Sequence, residues 1–277
     1  MKIPKNYSDK DYKEYRTKIL KNILKMAFHG GSSSAHLGGA LSMVDIGSVI
    51  FKYLLNLSKD NINETDRDYF ILSKGHACLA YYSLLAEKGF INENNFETFE
   101  KDGSLLLGHP VQNQEIGIDF STGSLGVGVG IAVGVALGLK KKNSNNSVFV
   151  VLGDGECNEG SVWEAFMSAS HFKLNNLKIV IDNNSFQQTG KNIDIMNTSS
   201  LKKKLQAFNF ETFEVDGHNP LALFEKLSST SNESPMAIIA KTIKGKYLPF
   251  AENDNKFHHT ILTKSLYDEG LKSIDDL

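Results

Sequence analysis

A chain of 277 residues with 41% hydrophobic and 22% charged side chains has the composition of an ordinary globular protein, long enough for one large α/β domain. Its formal net charge of −2, with no basic stripe interleaved with aromatics, argues against a nucleic-acid surface. Its two cysteines, Cys78 and Cys157, cannot build a disulfide framework or a four-cysteine zinc site. The opening MKIPKNYSDKDYKEYRTKIL is too charged for a secretory signal, so the expectation is a cytoplasmic protein.

Residues 9–28 carry apolar side chains at Tyr12, Tyr15, Ile19, Ile23, Leu24 and Ala27, which predicts an amphipathic helix. A polar, glycine-rich turn over 30–39 follows, then an apolar helix over 42–57. Residues 69–73 read as a strand ending at Lys74-Gly75-His76, with a helix after it through Ala86. Residues 105–120 look irregular and carry Gly108-His109-Pro110. Residues 120–139 contain no charged side chain and have about the length of a bilayer span. Six glycines dilute that stretch, so a buried helix packed through small residues is expected, with Lys140, Lys141 and Lys142 complementing its dipole. It is not a dinucleotide loop: Val133 stands where a third glycine is needed, and no strand precedes it.

The runs Val148-Phe149-Val150-Val151-Leu152 and Leu177-Lys178-Ile179-Val180-Ile181 are short, rich in β-branched residues and bounded by turns, so each reads as a buried parallel strand. The first closes on Gly153-Asp154-Gly155 and the second on Asp182-Asn183-Asn184. Ligands on open α/β sheets sit just beyond such carboxyl ends. A Gly-Asp-Gly alone is most simply a tight turn. A second oxygen-bearing turn downstream, with a helical segment over 159–173 between, points instead to a hard divalent cation shared with phosphate oxygens. Glycines let the backbone approach those phosphates. Further strands are expected over 210–215 and 236–240, with Asn219 capping a helix between them. The alternation predicts a doubly wound, mostly parallel sheet with helices on both faces. No composition shift divides the chain. A single domain over 1–277 is expected, with an N-terminal helical extension and a polar surface tail beyond Gly245.

Of eight histidines, His36, His76, His109 and His258 lie beside glycine, in loops or at a strand end, where polar chemistry collects. Imidazoles that donate, accept and transfer protons near neutral pH suit a polyhydroxylated substrate. No pair has the helical i, i+4 spacing of a zinc site. His29, His171, His218 and His259 are read as structural, His218 as part of the turn Asp216-Gly217-His218-Asn219.

The Gly-Asp-Gly and paired-Asn turns together resemble the thiamine diphosphate fingerprint. That resemblance implies a metal, Mg²⁺ with Ca²⁺ or Mn²⁺ as substitutes, held by Asp154, Asn184 and the carbonyl of Phe186. Ser34-Ala35-His36-Leu37-Gly38-Gly39, Leu72-Ser73-Lys74-Gly75-His76-Ala77, Leu107-Gly108-His109-Pro110, Ser121-Thr122-Gly123-Ser124-Leu125-Gly126 and Lys241-Thr242-Ile243-Lys244-Gly245-Lys246 look like transketolase motifs, in that family's order. The likeness runs from about Lys18 to His259. It implies the diphosphate-binding (PP) half of a transketolase, as the N-terminal subunit of a split enzyme. Lys74, His76 and Gly155 would contact the diphosphate, with Gly153 and Glu156 beside it. Gly123, Ser124 and Leu125 would contact the thiamine, and Gln188 and Lys244 would touch the cofactor. His36, His76, His109 and His258 would serve catalysis, lining the sugar channel. Glu159 and Glu164 match residues that link paired active sites across a dimer.

The glutamate that acts on the thiamine pyrimidine ring lies, in that family, on a pyrimidine-binding (Pyr) domain that nothing in these residues resembles. The resemblance therefore implies a partner, the C-terminal transketolase subunit that carries the Pyr domain, in an α2β2 heterotetramer. The pair would move a two-carbon ketol unit from a ketose phosphate to an aldose phosphate, and this chain would be inactive alone. Leu37 in place of proline, Ser124, and Phe257-His258-His259 depart from the common motifs and leave the sugar open. A specialised sugar or sulfo-sugar transketolase is one alternative. Deoxyxylulose phosphate synthase or a 2-keto acid dehydrogenase component is another, against which the polyol-gripping histidines argue. A non-catalytic metal-diphosphate module is the third, and intact Asp154, Asn184, His36, His76 and His109 count against it.

Overall fold

One parallel sheet orders the molecule, and its alternating side chains divide the interior into two cores. The computed structural model describes residues 3–230 and 233–277, so Met1 and Lys2 of the charged opening stretch lie outside the described residues. The strands are β1 (Tyr69–Leu72), β2 (Val148–Gly153), β3 (Leu177–Asn183), β4 (Glu211–Asp216) and β5 (Met236–Lys241). They are ordered β1-β2-β3-β5-β4, and every neighbouring pair is parallel. The two-residue period of a strand sends Phe70, Leu72, Phe149, Val151, Val180 and Ile238 to one face, and Ile71, Val150, Leu152, Ile179, Ile181 and Ile239 to the other.

Helices cover both faces. The first core takes α1 (Asp9–His29), α2 (Leu37–Ser42), α3 (Val44–Val49) and α4 (Cys78–Glu87); the second takes α5 (Val127–Lys141) and α6 (Gly160–His171). A single turn, α7 (Asn192–Ile195), precedes α8 (Leu201–Ala207) on the second face, while α9 (Pro220–Leu227) and α10 (Lys264–Asp275) return to the first. The doubly wound architecture is the one the alternating pattern predicts. As expected, the Asn219 side chain caps α9, accepting from Leu221 and Ala222. Among the described residues, no helix is long and apolar enough to cross a membrane.

Register places the functional edge. Leu72 pairs with Val151, Gly153 with Asp182, and Asp182 with Ala240. Lys74, Asp154, Asn184 and Lys244 therefore all leave the sheet at the same carboxyl end.

Three expectations are corrected. The glycine-rich segment is not all turn: α2 starts at Leu37, and the apolar helix expected over 42–57 is split into α2, α3 and a π-turn at Ile50–Leu54. Close packing overrides the weak helix propensity of glycine here. A Cβ at Gly38 would meet Lys244 Cγ at 3.1 Å, and one at Gly39 would meet His76 Nε2 at 3.0 Å.

The second correction concerns α5, which is half-buried rather than enclosed. Val129, Ala132 and Ala136 face the core, while a Cβ on Gly130, Gly134 or Gly138 would meet nothing within 4 Å.

The third concerns the two ends of the chain. The segment beyond Gly245 is not a surface tail, because Leu248, Ala251, Leu262 and Ile274 are buried. Leu266, Tyr267, Leu271 and Ile274 repeat at helical spacing in α10 and pack on the first core, a stripe diluted by the polar residues around it. Nor is α1 an appendage, since Ile19, Leu20, Ile23 and Leu24 are fully buried.

Candidate active site

A cavity of 310 Å³ opens at the carboxyl edge of the sheet. The turns after β1, β2 and β3 bring Lys74 and His76, then Gly153, Asp154, Gly155 and Glu156, then Asn184, Phe186 and Gln188 into its wall. His36, His109, Gly123, Leu125, Lys244 and His258 complete it from the surrounding loops. Of the residues singled out as cofactor-binding or catalytic in the sequence, Ser124 is the one outside the wall; it is exposed between two residues that line it. Glu159 lines the rim, whereas Glu164 is an exposed residue of α6 away from the cavity.

Asp154 sits where the register places it, at the first turn beyond β2. Its carboxylate accepts the Gly155 N–H at 3.0 Å and the Ser185 N–H at 2.7 Å, while Asn184 Oδ1 accepts the Phe186 N–H at 3.0 Å. Burial first, and the negative charge of Asp182 second, push the Asp154 carboxyl up to about 7. A buried carboxylate so short of positive charge is a ready ligand for a cation. Among the described residues no three His, Cys, Asp or Glu side chains gather to hold a metal. The donors available here are one carboxylate, one side-chain amide and backbone carbonyls, an oxygen set that fits Mg²⁺ and not zinc. Asn158 Oδ1 and Gln187 Nε2 are buried in the same wall without a hydrogen-bond partner, so a polar ligand would complete them.

Lys74 lines the cavity, yet its ammonium is committed elsewhere. It donates to Asp182, and both side chains are essentially inaccessible to solvent. Ser42 Oγ donates to the same carboxylate at 2.5 Å, and Thr242 donates to its other oxygen. Asp182, quoted in the sequence only as the start of a turn, is the counter-charge beneath the site.

The histidines converge. His36 is at the centre, with ring centroids 5.5 Å from His76, 5.6 Å from His109 and 5.4 Å from His258. A Cβ on Gly123 would meet the His109 ring at 3.1 Å, so only glycine lets that loop lie against it. Desolvation, helped by His259 and His258, lowers His36 to about 3. Desolvation and the Lys244 charge lower His258 to about 4. Burial and Lys74 hold His76 well below the usual histidine range. These three imidazoles are neutral at physiological pH, so they act as paired donors and acceptors rather than as cations.

Two other wall residues are braces. Glu156 is buried and accepts from Ser73 Oγ, from Gly126 N–H at 2.8 Å and from Gly153 N–H at 3.1 Å. Lys244 Nζ contacts the Gln187 carbonyl at 3.2 Å, Asn255 Oδ1 at 2.5 Å and His258 Nδ1 at 3.0 Å.

The sequence reading missed Asn158 and Gln187; Gln187 lies between two residues already named and could have been found by that adjacency. It also assigned His259 and His218 no more than structural roles. His259 is exposed with its ring 4.3 Å from His36, and His218 holds two hydrogen bonds through its ring.

Residues 18–270 match the family model described as transketolase, thiamine diphosphate binding domain. The chain is 37% identical over 268 residues to one of the subunits of the apulose-4-phosphate transketolase of Actinobacillus succinogenes, a match covering 96% of this chain and 97% of that one. It is 32% identical over 242 residues to the 6-deoxy-6-sulfo-D-fructose transketolase subunit SqwG of a Clostridium species, covering 87% and 88%. It superposes on the transketolase of Campylobacter jejuni with a TM-score of 0.88 at 26% identity, covering 99% of this chain and 43% of that one. The chain thus spans less than half the length of that transketolase.

Proposed function

The chain belongs to the transketolase family, matching its thiamine diphosphate binding domain, and on that premise we propose that it is the diphosphate-binding subunit of a two-component transketolase. The observation that carries this reading is the single cavity in which Asp154, Asn184 and the four histidines meet. The near end-to-end match to a relative that is itself named as one subunit of a transketolase supports the two-component part.

Thiamine diphosphate, when bound, supplies the acidic ring carbon that makes the carbon–carbon bond of a ketose cleavable. Asp154, Asn184 and the Phe186 carbonyl would hold Mg²⁺, which would neutralise the diphosphate more fully than one Lys and one His could. Gly153 and Gly155 would present backbone to the phosphates beside His76 and Lys74, the latter sharing its charge with Asp182. Gly123, Ser124 and Leu125 would border the thiamine, Glu156 keeps that loop against the diphosphate turn, and Gln188 and Lys244 would touch the cofactor. His36, His109 and His258 would hydrogen-bond the hydroxyls of the sugar donor through their ring nitrogens. The reaction class is transfer of a two-carbon ketol unit between a ketose phosphate and an aldose phosphate.

A Pyr subunit supplies the missing group at the pyrimidine ring and covers the site, in an α2β2 assembly with Glu159 and Glu164 toward the paired site. Exposed Leu125 and Val127 and the open glycine face of α5 are where such cover would fall. A second reading, a transketolase for branched or sulfonated sugars, is favoured by the substrates named for the two subunit relatives.

Calorimetry tests the site. Thiamine diphosphate should bind with Mg²⁺ present and fail to bind with chelator or in Asp154→Ala. Equal affinity in all three would remove the metal site and the reading built on it.

A further inference from the structure

The turn at Asp216-Gly217-His218-Asn219 needs only the main chain of His218, yet its ring is wedged between two distant segments. Nδ1 lies 3.0 Å from Oδ2 of Asp45, a fully buried residue of α3. Nε2 accepts the Ile243 N–H at 2.9 Å. An acceptor at Nε2 requires the proton on Nδ1, so the ring is neutral and donates to Asp45. The same carboxylate also accepts from Tyr247 OH and, at 2.7 Å, from Tyr12 OH; Arg16 NH1 stands 3.9 Å away. Asp45 thus anchors Ile243 through His218 and anchors Tyr247 directly. Lys244 lies between those two anchors. The stretch is strained where Asp45 holds it: Tyr247, a non-glycine, has φ +78°. None of Asp45, His218 or Tyr247 lines the cavity.

We propose that His218 is a positioning residue: with Asp45 it clamps the segment carrying Lys244 to the helical layer, and through Lys244 it orients the His258 ring. Lys244 Nζ sits 3.0 Å from His258 Nδ1, so that nitrogen is engaged and Nε2–H is the face left for a ligand. Without the clamp, Lys244 would leave Asn255 and His258, and His258 would lose its fixed tautomer. The catalytic consequence rests on the transketolase reading; the clamp itself does not, and it can be measured on the chain alone.

Two substitutions separate the ring's two bonds. His218→Asn keeps a donor where Nδ1 stood and removes the acceptor for Ile243. His218→Gln places an amide oxygen near the Nε2 position and keeps that acceptor. A clamp needs both bonds, so amide hydrogen exchange at Ile243 should rise at least ~10-fold in His218→Asn and rise also in His218→Gln, in protein without cofactor, while the amides of β2 stay within ~3-fold of the parent in both. Exchange at Gly245, whose N–H donates to the Gly38 carbonyl at 3.1 Å, should rise in both variants as the segment loosens. Tyr247→Phe removes the other anchor without touching the ring and should raise Gly245 exchange the same way, so the proposal stays testable if His218→Asn does not fold. Ile243 exchange at the parent level in either His218 variant, or unmoved Gly245 exchange in Tyr247→Phe, would overturn it. Failure of the protein to transfer ketol units would leave these readouts unaffected, which separates this inference from the functional one.

Discussion

Asp154 Oδ2 accepts the Ser185 N–H at 2.7 Å, fastening the turn beyond β2 to the turn beyond β3. Ser185 is a non-glycine with φ +67°, so the backbone there is bent to deliver that N–H and to leave Asn184 and Phe186 beside the carboxylate. The local geometry is thus prepared around a negative charge that burial makes expensive.

Stability should register that expense. The folded value of Asp154, about 7, lies above the unfolded carboxyl range, so its contribution is fully present below about pH 4 and is lost as pH rises through 7. Asp154→Asn should therefore stabilise the ligand-free protein at pH 8, by about 2–4 kcal/mol, with the gain shrinking toward pH 4. Adding Mg²⁺ and thiamine diphosphate should reverse the order. Urea unfolding of both proteins, with and without ligand, decides it; a variant less stable than the parent at pH 8 without ligand speaks against a site built for a cation.

The histidine cluster should act with the opposite sign. His36 near 3 and His258 near 4 are depressed in the folded state, so the stability they confer is present above pH 6.5 and lost as pH falls through 4 toward 3. In an Asp154→Asn background, unfolding free energy should fall between pH 7 and 5, and less steeply after His36→Asn. Parallel pH profiles for the two proteins would contradict the desolvated cluster.

His76 and His109 should fail at different steps. His76 packs against Gly39 beside Lys74, so His76→Ala should weaken cofactor binding and slow turnover. His109 lies across the cavity against Gly123, so His109→Ala should leave cofactor affinity nearly intact while lowering turnover about 10²–10⁴-fold. Calorimetry and steady-state kinetics with the partner present separate the two; unchanged turnover in His109→Ala on every ketose donor would take it out of the site.

Glu156 should behave as a brace. Removing its carboxylate strands the N–H groups of Gly126 and Gly153 and the Ser73 hydroxyl in the interior. Glu156→Ala should cost about 2–4 kcal/mol of stability, and Glu156→Gln, which still accepts, visibly less. Equal losses in urea unfolding would show that volume, not hydrogen bonding, sets the cost.

Local features carried much of this molecule into view from its sequence. The runs ending at Gly153 and Ile181 announced parallel strands, and the turns after them named Asp154 and Asn184. Glycine neighbours brought out His76 and His109, and a glycine-rich turn brought out His36. What stayed hidden is long-range or diluted. Nothing near Lys74 foretells that Asp182 neutralises it, because only the pairing of β1, β2 and β3 brings them together. Asp45 and His218 likewise meet only after three crossovers, β1 to β2, β2 to β3 and β3 to β4, so His218 read as a turn residue. The apolar stripe of α10 was masked by its charges, and Gly38 and Gly39 became helical because side chains press on them.

The most direct test of the two-component reading is ketol transfer from xylulose 5-phosphate to ribose 5-phosphate, with Mg²⁺ and thiamine diphosphate. It is assayed first with the purified chain and then with a separately expressed Pyr subunit from the same source. No turnover is expected from the chain alone, and turnover is expected on mixing, abolished by Asp154→Ala. Robust turnover by the single chain would contradict that reading.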